Sequence, residues 1–476
     1  MAVIGAAPHQ DLHRLVSEWA TLFGSGLGYN RLFRFVADPG TDLPSLNVEC
    51  ELCKGWRFVD DTTLELELHT DAWWQGADDF VSRPIVALDV LWSLERLREP
   101  GSPHERLLDS VDAIEILADS TVRFTLHHPD GDLLLKLASP YAAIMAPDSL
   151  NAVNLRSGRV LGAGAWRYVR GGTGQVTLTA RDDYFRDGEP VANVVKFLPV
   201  ADLPTGVVLM GLDRADMAQV TEQQWATMDR ERYDSVVVDR QGRGVLFGIN
   251  ADRELLGDKQ VRQAVFGALD PQAAMAESFG IGWAGLGMPL VDPSWELDDA
   301  TLATYFDSPF VAVDAPLTLT IGNFGEEYVA HGEALATQLR DGGFNVTTDV
   351  VSRGAYLNRV WQERDYDLFV GPMPPTDTPS AFMLAMLHSL GASNVTSAGS
   401  AELDELIEAF SVELDSAHRA TLALRAQTVA LDGAWLFMAA GLSERWAFNE
   451  RVVDPPRAFP QGSGDAWKYV GVRDTL

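Results

Sequence analysis

The stretch that decides the fold is LTLTIGNFGEEYVAHGEALATQLRDGGFNVTTDVV, residues 317–351. Leu317–Ile321 alternates apolar and polar residues, as a strand with one buried face does. Glu327–Arg340 carries helical periodicity, and Asp341-Gly342-Gly343 supplies a glycine where a helix C-terminus needs one. Val346–Val351 alternates again. Strand, helix and strand in this order form a βαβ crossover of a parallel sheet. A short helix at Gly354–Trp361 and a strand at Tyr366–Val370 continue the pattern, so the C-terminal half reads as an α/β lobe.

Working outward, the N-terminal half is richer in strands and hairpins. Strand-like runs fall at Trp56–Val59, Thr63–His69, Thr121–His127, Gln175–Ala180, Val194–Pro199, Val236–Asp239 and Val245–Asn250. Helical periodicity marks Pro84–Leu97, Asp258–Leu269, Ala401–Leu414 and Ala417–Leu431. No internal repeat and no Pro/Ser linker interrupts the chain. Two lobes joined by strands fit this pattern.

Composition narrows the function. The chain has 476 residues, 46% of them hydrophobic and 22% charged, as in an ordinary globular protein. A net charge of −31 repels phosphate backbones and anionic lipid, which argues against a nucleic-acid partner. No run of about 18 apolar residues is present, so no membrane span is expected. The first residues, Met1 to Gln10, lack a basic region followed by an apolar one, so they do not read as a signal peptide.

Several motifs are weighed and set aside. Gly24-Ser-Gly26-Leu-Gly28 has the wrong spacing for a dinucleotide loop. His9 and His13, four apart, lack the other residues of a metal site. Cys50 and Cys53 form a C-x-x-C pair without the βαβ context of a redox motif and without a second pair for zinc, which leaves structural thiols or a local disulfide. Carboxylate pairs such as Asp78-Asp79, Asp298-Asp299 and Glu326-Glu327 read as solvated faces. No constellation specifies a reaction, and no cofactor or metal is expected.

The order of short motifs along the chain resembles the extracellular solute-binding proteins, family 5, which include oligopeptide-, dipeptide- and nickel-binding proteins of ABC importers. Tyr29-Asn-Arg-Leu-Phe-Arg-Phe is similar to the family's opening segment. Trp73-Trp74-Gln75-Gly76 and Ala87-Leu88-Asp89-Val90 resemble its next pair of motifs. Gly162-Ala-Gly-Ala-Trp166 stands where the family has a glycine-rich turn, and Asp182-Asp-Tyr184-Phe185 with Gly188-Glu-Pro190 follows. Phe247-Gly-Ile-Asn250, Asp258-Lys-Gln-Val-Arg262-Gln-Ala264 and Asp270-Pro271 complete the series.

The resemblance implies an α/β, periplasmic-binding-protein-like fold: two α/β lobes with a hinge and a central cleft, plus a third, smaller domain inserted in lobe I. The expected boundaries are lobe I at 1–39, 156–247 and 446–476, the extra domain at 40–155, and lobe II at 248–445. The hinge is expected near Gly248–Asn250 and Ser443–Phe448. The implied function is capture of a small peptide-like or cationic ligand for delivery to an ABC permease, by a monomer that is not an enzyme. The implied location is the cell envelope if an export segment has been removed. The alternative is a signal-less cytoplasmic relative acting as an enzyme or ligand sensor in a biosynthetic pathway.

Ligand-contact candidates are Tyr29, Trp73, Trp74, Trp166, Met373 and Asp377, since aromatic walls supply area and a carboxylate favours a cation. Trp73 and Trp74 are neighbours and point opposite ways on a strand, so at most one meets a ligand. In peptide binders of the family an Asp holds the ligand's amino group. Pro375 occupies that place here, with Asp377 two residues on, and Asn323–His331 contains no Arg to anchor a carboxylate.

Overall fold

The computed structural model describes residues 1–6, 9–43, 45–76, 80–148, 160–289, 292, 294–307, 309, 315–374, 376 and 378–473. The chain divides into two compact units: unit 1 is 1–240 with 444–476, and unit 2 is 241–443.

Unit 1 begins with β1 (Ala2–Ile4) and contains the short antiparallel pair β2 (Phe33–Phe35) and β3 (Val48–Cys50). A four-stranded antiparallel sheet follows, built from β4 (Cys53–Asp60), β5 (Thr63–Leu68), β6 (Val111–Ala118) and β7 (Thr121–Leu126) in the order β4-β5-β7-β6. The helix Ala87–Leu97 lies between β5 and β6 in sequence and buries Val90, Leu94 and Leu97. A meander of β8 (Trp166–Arg170), β9 (Val176–Ala180) and β10 (Val194–Val200) comes next. Its last strand runs parallel to β1, which also pairs in parallel with β11 (Met217–Val220).

The next strand, β12 (Tyr233–Ile249), runs from one unit into the other. Two strands were expected here, Val236–Asp239 and Val245–Asn250. One 17-residue strand forms instead. Gly242, at φ +78°, and Gly244 let it continue. A side chain at Gly244 would place its Cβ 2.7 Å from the Ala440 carbonyl oxygen, so glycine is required there for the close approach of the two backbones. Gly248 pairs with Phe369, and the Asn250 side-chain amide donates to the Tyr366 carbonyl at 3.0 Å, both within unit 2.

Unit 2 contains β13 (Gly282–Trp283), β14 (Leu317–Asn323), β15 (Val346–Ser352) and β16 (Leu368–Pro372). Strand β14 pairs in parallel with both β15 and β16, and the helix Glu326–Asp341 connects β14 to β15, as the sequence predicts. That helix buries Leu335, Ala336 and Leu339 against Leu317, Leu319 and Ile321 of β14. Gly343, at φ +91°, turns the chain out of it. Asp258 caps the helix Lys259–Gly267, and Asp270 caps Pro271–Ser278 with Pro271 at its first position. The helices Ala401–Val412 and Ser416–Gly433 pack together before the last long strand, β17 (Leu436–Asn449). This strand returns the chain to unit 1, where Met217–Val220 pairs antiparallel with Arg445–Phe448. The sequence reading missed β17 because Leu436–Gly441 is an unbroken apolar run, and periodicity cannot tell such a strand from a buried helix.

Candidate functional site

Tyr29 and Trp166 share one core. Tyr29 ends the turn Ser25–Gly28 and is 4% exposed, while Trp166 opens β8 and is fully buried. Both belong to the apolar cluster of unit 1 that includes Trp19, Phe197, Trp446 and Trp467. Burial pushes the Tyr29 phenol well above its ordinary pKa. These two rings are placed as core side chains, and their area is used in packing.

The same region accounts for the glycines set aside as a dinucleotide loop: a Cβ on Gly24 would lie 2.8 Å from Ala20 Cα and one on Gly26 2.9 Å from Thr21 Cα, so both let the turn close on the backbone before it. A Cβ on Gly162 would lie 1.6 Å from the Gly28 carbonyl oxygen, and one on Gly164 would lie 2.8 Å from it. The Gly164 amide donates to that oxygen at 3.1 Å. Glycine at Gly162 and Gly164 therefore lets two backbone segments touch.

Trp73 and Trp74 separate as their alternation requires. Trp73 is 43% exposed and Trp74 is fully buried. The Trp74 indole donates to Asp89 Oδ2 at 3.1 Å. Asp89 also receives two bonds of 2.7 Å from Arg83 and the Val86 amide at 3.0 Å, which fixes the N-terminus of the helix Ala87–Leu97. Trp74 is thus a structural peg, and Trp73 alone of the pair offers a ring to solvent.

In unit 2, Met373 follows β16, is 9% exposed, and donates its amide to the Gly244 carbonyl at 3.1 Å. Asp377 and Pro375 lie outside the described residues. Thr378 resumes the chain and caps the helix Pro379–Phe382. Tyr356, which sequence reasoning passed over, packs against β14 and β16. Its ring fills the space left by Gly322 of β14 and Gly371 of β16, where added Cβ atoms would lie 2.9 and 2.5 Å from it. Paired glycines on neighbouring strands were the available signal.

Unit 2 also carries a groove of about 930 Å³ whose lining includes Leu269, Trp283, Leu302 and Phe306. Asp270, Asp299 and Asp307 border it, and no Lys or Arg does among the described residues. Two histidines are buried, one in each unit. His13 and His331 have pKa values lowered to about 4, each chiefly because burial disfavours the imidazolium. Among the described residues no group of three His, Cys, Asp or Glu side chains is placed to hold a metal ion, and no helix is long and apolar enough to cross a membrane.

Residues 47–394 match the family model of bacterial extracellular solute-binding proteins, family 5. A di/tripeptide-binding protein 2 of Pseudomonas aeruginosa strain UCBPP-PA14 is 22% identical over 329 residues, covering 62% of this chain and 60% of the relative. The oligopeptide-binding protein AppA of Bacillus subtilis strain 168 is 27% identical over 210 residues, covering 42% and 37%. The chain thus spans about half the length of the curated relatives it matches. The structure of HbpA2 from Haemophilus parasuis superposes with a TM-score of 0.81 at 17% identity, covering 99% of both chains. At that identity the likeness speaks for the fold, which is the α/β periplasmic-binding-protein type. With almost three quarters of its length inside one family model, the chain belongs to the bacterial extracellular solute-binding proteins, family 5.

Proposed function

We propose that this chain is the solute-capturing component of an ABC importer, acting outside the cytoplasm as a monomer that binds its ligand and releases it unchanged. The family match over residues 47–394 carries the reading, because the relatives it groups are named for what they bind. The peptide-binding names among them support a peptide-like solute, and the net charge of −31 favours one that is cationic. The bond between Cys50 and Cys53 supports an oxidising, extracytoplasmic setting, where disulfides persist.

Of the candidate residues, we assign a solute contact to the exposed ring of Trp73 in unit 1. An aromatic face that remains accessible suits a cationic or apolar ligand group.

The test is native mass spectrometry followed by a thermal-shift screen of short peptides, metal chelates and cationic metabolites. A true solute raises the melting temperature by mass action and is recovered intact. Trp73→Ala then weakens binding about tenfold, near 1.4 kcal/mol, with the melting temperature of the free protein unchanged. Recovery of a chemically altered ligand would refute the reading.

A further inference from the structure

The Cys50–Cys53 bond lies at an unusual place. It bridges the end of β3 and the start of β4, strands of two different sheets, and so closes the corner Glu51-Leu52. The backbone of this corner is pinned to the residues just before β2: the Glu51 and Cys53 amides donate to the Leu32 carbonyl at 2.9 and 3.2 Å, and the Leu52 amide donates to the Arg31 carbonyl at 3.0 Å. A loop this short gains little from loop-closure entropy, so the bridge acts chiefly on local geometry.

What that geometry positions is Glu51, which is completely buried. Its carboxylate accepts from the Arg31 amide at 2.7 Å, from Arg31 Nε at 3.4 Å, and from Lys468 Nζ. Arg31 reaches onward to Asp465 and to Ser463 Oγ at 3.2 Å, and Lys468 meets Asp465 at 3.4 Å. The Phe35 amide donates to Asp465 Oδ2 at 3.1 Å. Two cations and two carboxylates therefore neutralise one another in a buried site, and two of the pairs, Arg31–Asp465 and Glu51–Lys468, join residues 434 and 417 positions apart. If Glu51 moves away, Arg31 and Lys468 are left with one carboxylate between them. A buried charge without its partner is strongly unfavourable, so Lys468 would turn to water and draw its segment out.

We propose that the Cys50–Cys53 disulfide is a redox-gated clasp: bridged, it holds Glu51 where it fastens the C-terminal segment 460–472 to unit 1, and reduced, it lets that segment loosen. Cys50 is half-buried and Cys53 fully buried, so Cys50 is the sulfur within reach. A thiolate of a dithiol reductant attacks Cys50 Sγ and Cys53 leaves as a thiolate, which takes up a proton. The second thiol of the reductant then displaces Cys50, so the reductant becomes a disulfide and the protein gains two electrons and two protons. Trp467, packed among Phe23, Phe197, Trp446 and Phe459, keeps an apolar anchor in both states, so the segment loosens without the unit unfolding.

Hydrogen exchange of the full chain, read by mass spectrometry before and after treatment with a phosphine or dithiol, tests this. Exchange of backbone amides in 460–472 and 31–36 should speed up at least tenfold on reduction, while the helix Glu326–Asp341 stays as protected as before. Glu51→Gln in the oxidised protein should produce the same loosening with the bridge intact. Unchanged protection of 460–472 in the reduced protein overturns the proposal. So does a Glu51→Gln protein that stays tight, or a loosening spread evenly over unit 1. Should Cys50→Ser/Cys53→Ser fail to fold, reduction of the folded wild type still decides the matter.

Discussion

Unit 1 and unit 2 bury different chemistry. In unit 1, Arg31, Arg34, Glu51, Asp130, Asp465 and Lys468 are all buried, and each has a partner of opposite charge. Among the described residues of unit 2, buried arginine, lysine, aspartate and glutamate come down to Arg262. Its guanidinium donates to the carbonyls of Gly433, Leu256 and Gly257 at 2.9–3.0 Å. Burial lowers its pKa, and the nearby charge of Asp258 offsets this only in part. Unit 2 otherwise relies on an aliphatic and aromatic core, in which Phe247, Phe266, Phe306 and Phe437 contact one another. The difference teaches where each unit is fragile. One depends on the electrical balance of pairs far apart in sequence, the other on the filling of space between neighbouring elements.

The sharpest way to break the comparison is to unbalance unit 1. Arg31→Met strands Glu51 and Asp465 against Lys468 alone and should cost about 3–5 kcal/mol. Urea denaturation, followed by hydrogen exchange so that each unit is read separately, should show the loss in unit 1. An equal loss in unit 2 would mean that the units do not unfold independently. The counterpart in unit 2 is Leu319→Ala, which opens a cavity beneath the helix Glu326–Asp341 and should cost about 3 kcal/mol there.

Acid sharpens the contrast. The folded-state pKa of His13 and of His331, about 4, lies below the ordinary 6.5. Between those values the unfolded chain binds a proton that the folded chain refuses, so stability is level above pH 6.5 and falls as pH drops toward 4. At 1.36 kcal/mol per pH unit the loss is about 3 kcal/mol for each histidine. His331→Leu should remove unit 2's share. Below pH 4 the units should diverge. Glu51, Asp465 and Glu189 are held below the ordinary carboxylate range by neighbouring cations. Their stabilisation is present above the unfolded value and is lost as pH falls through the folded one, so unit 1 keeps weakening. The lowered carboxylates of unit 2, Asp298 and Glu413, lie at its surface and matter little. The smallest effect is expected for Lys259→Met, which removes the exposed pair with Asp432 and should cost under about 1 kcal/mol.

Much of unit 2 was legible because its contacts are close in sequence. The βαβ unit, the helix that begins at Asp258 and the helical pair at 401–433 all follow from periodicity and end signals within a few residues, whereas the helix Pro271–Ser278 was read only as a break at Asp270-Pro271. The hairpins of unit 1 were legible for the same reason. The candidate site was less so. Aromatic identity at Tyr29, Trp74 and Trp166 marked large side chains, but a large side chain fills a core as readily as it lines a pocket. Only Trp73 of the four unit-1 candidates has an exposed ring.

The α/β class, the βαβ unit and the family were written in the chain, because they depend on local pattern and on motif order along it. Tertiary structure alone decided that Cys50 and Cys53 are bonded, that Gly162 exists for the sake of Gly28, and that Glu51 meets Lys468. The last contact joins residues 417 positions apart. No periodicity reaches that far, and a charged residue in a sequence does not reveal whether its partner will be water or another charge.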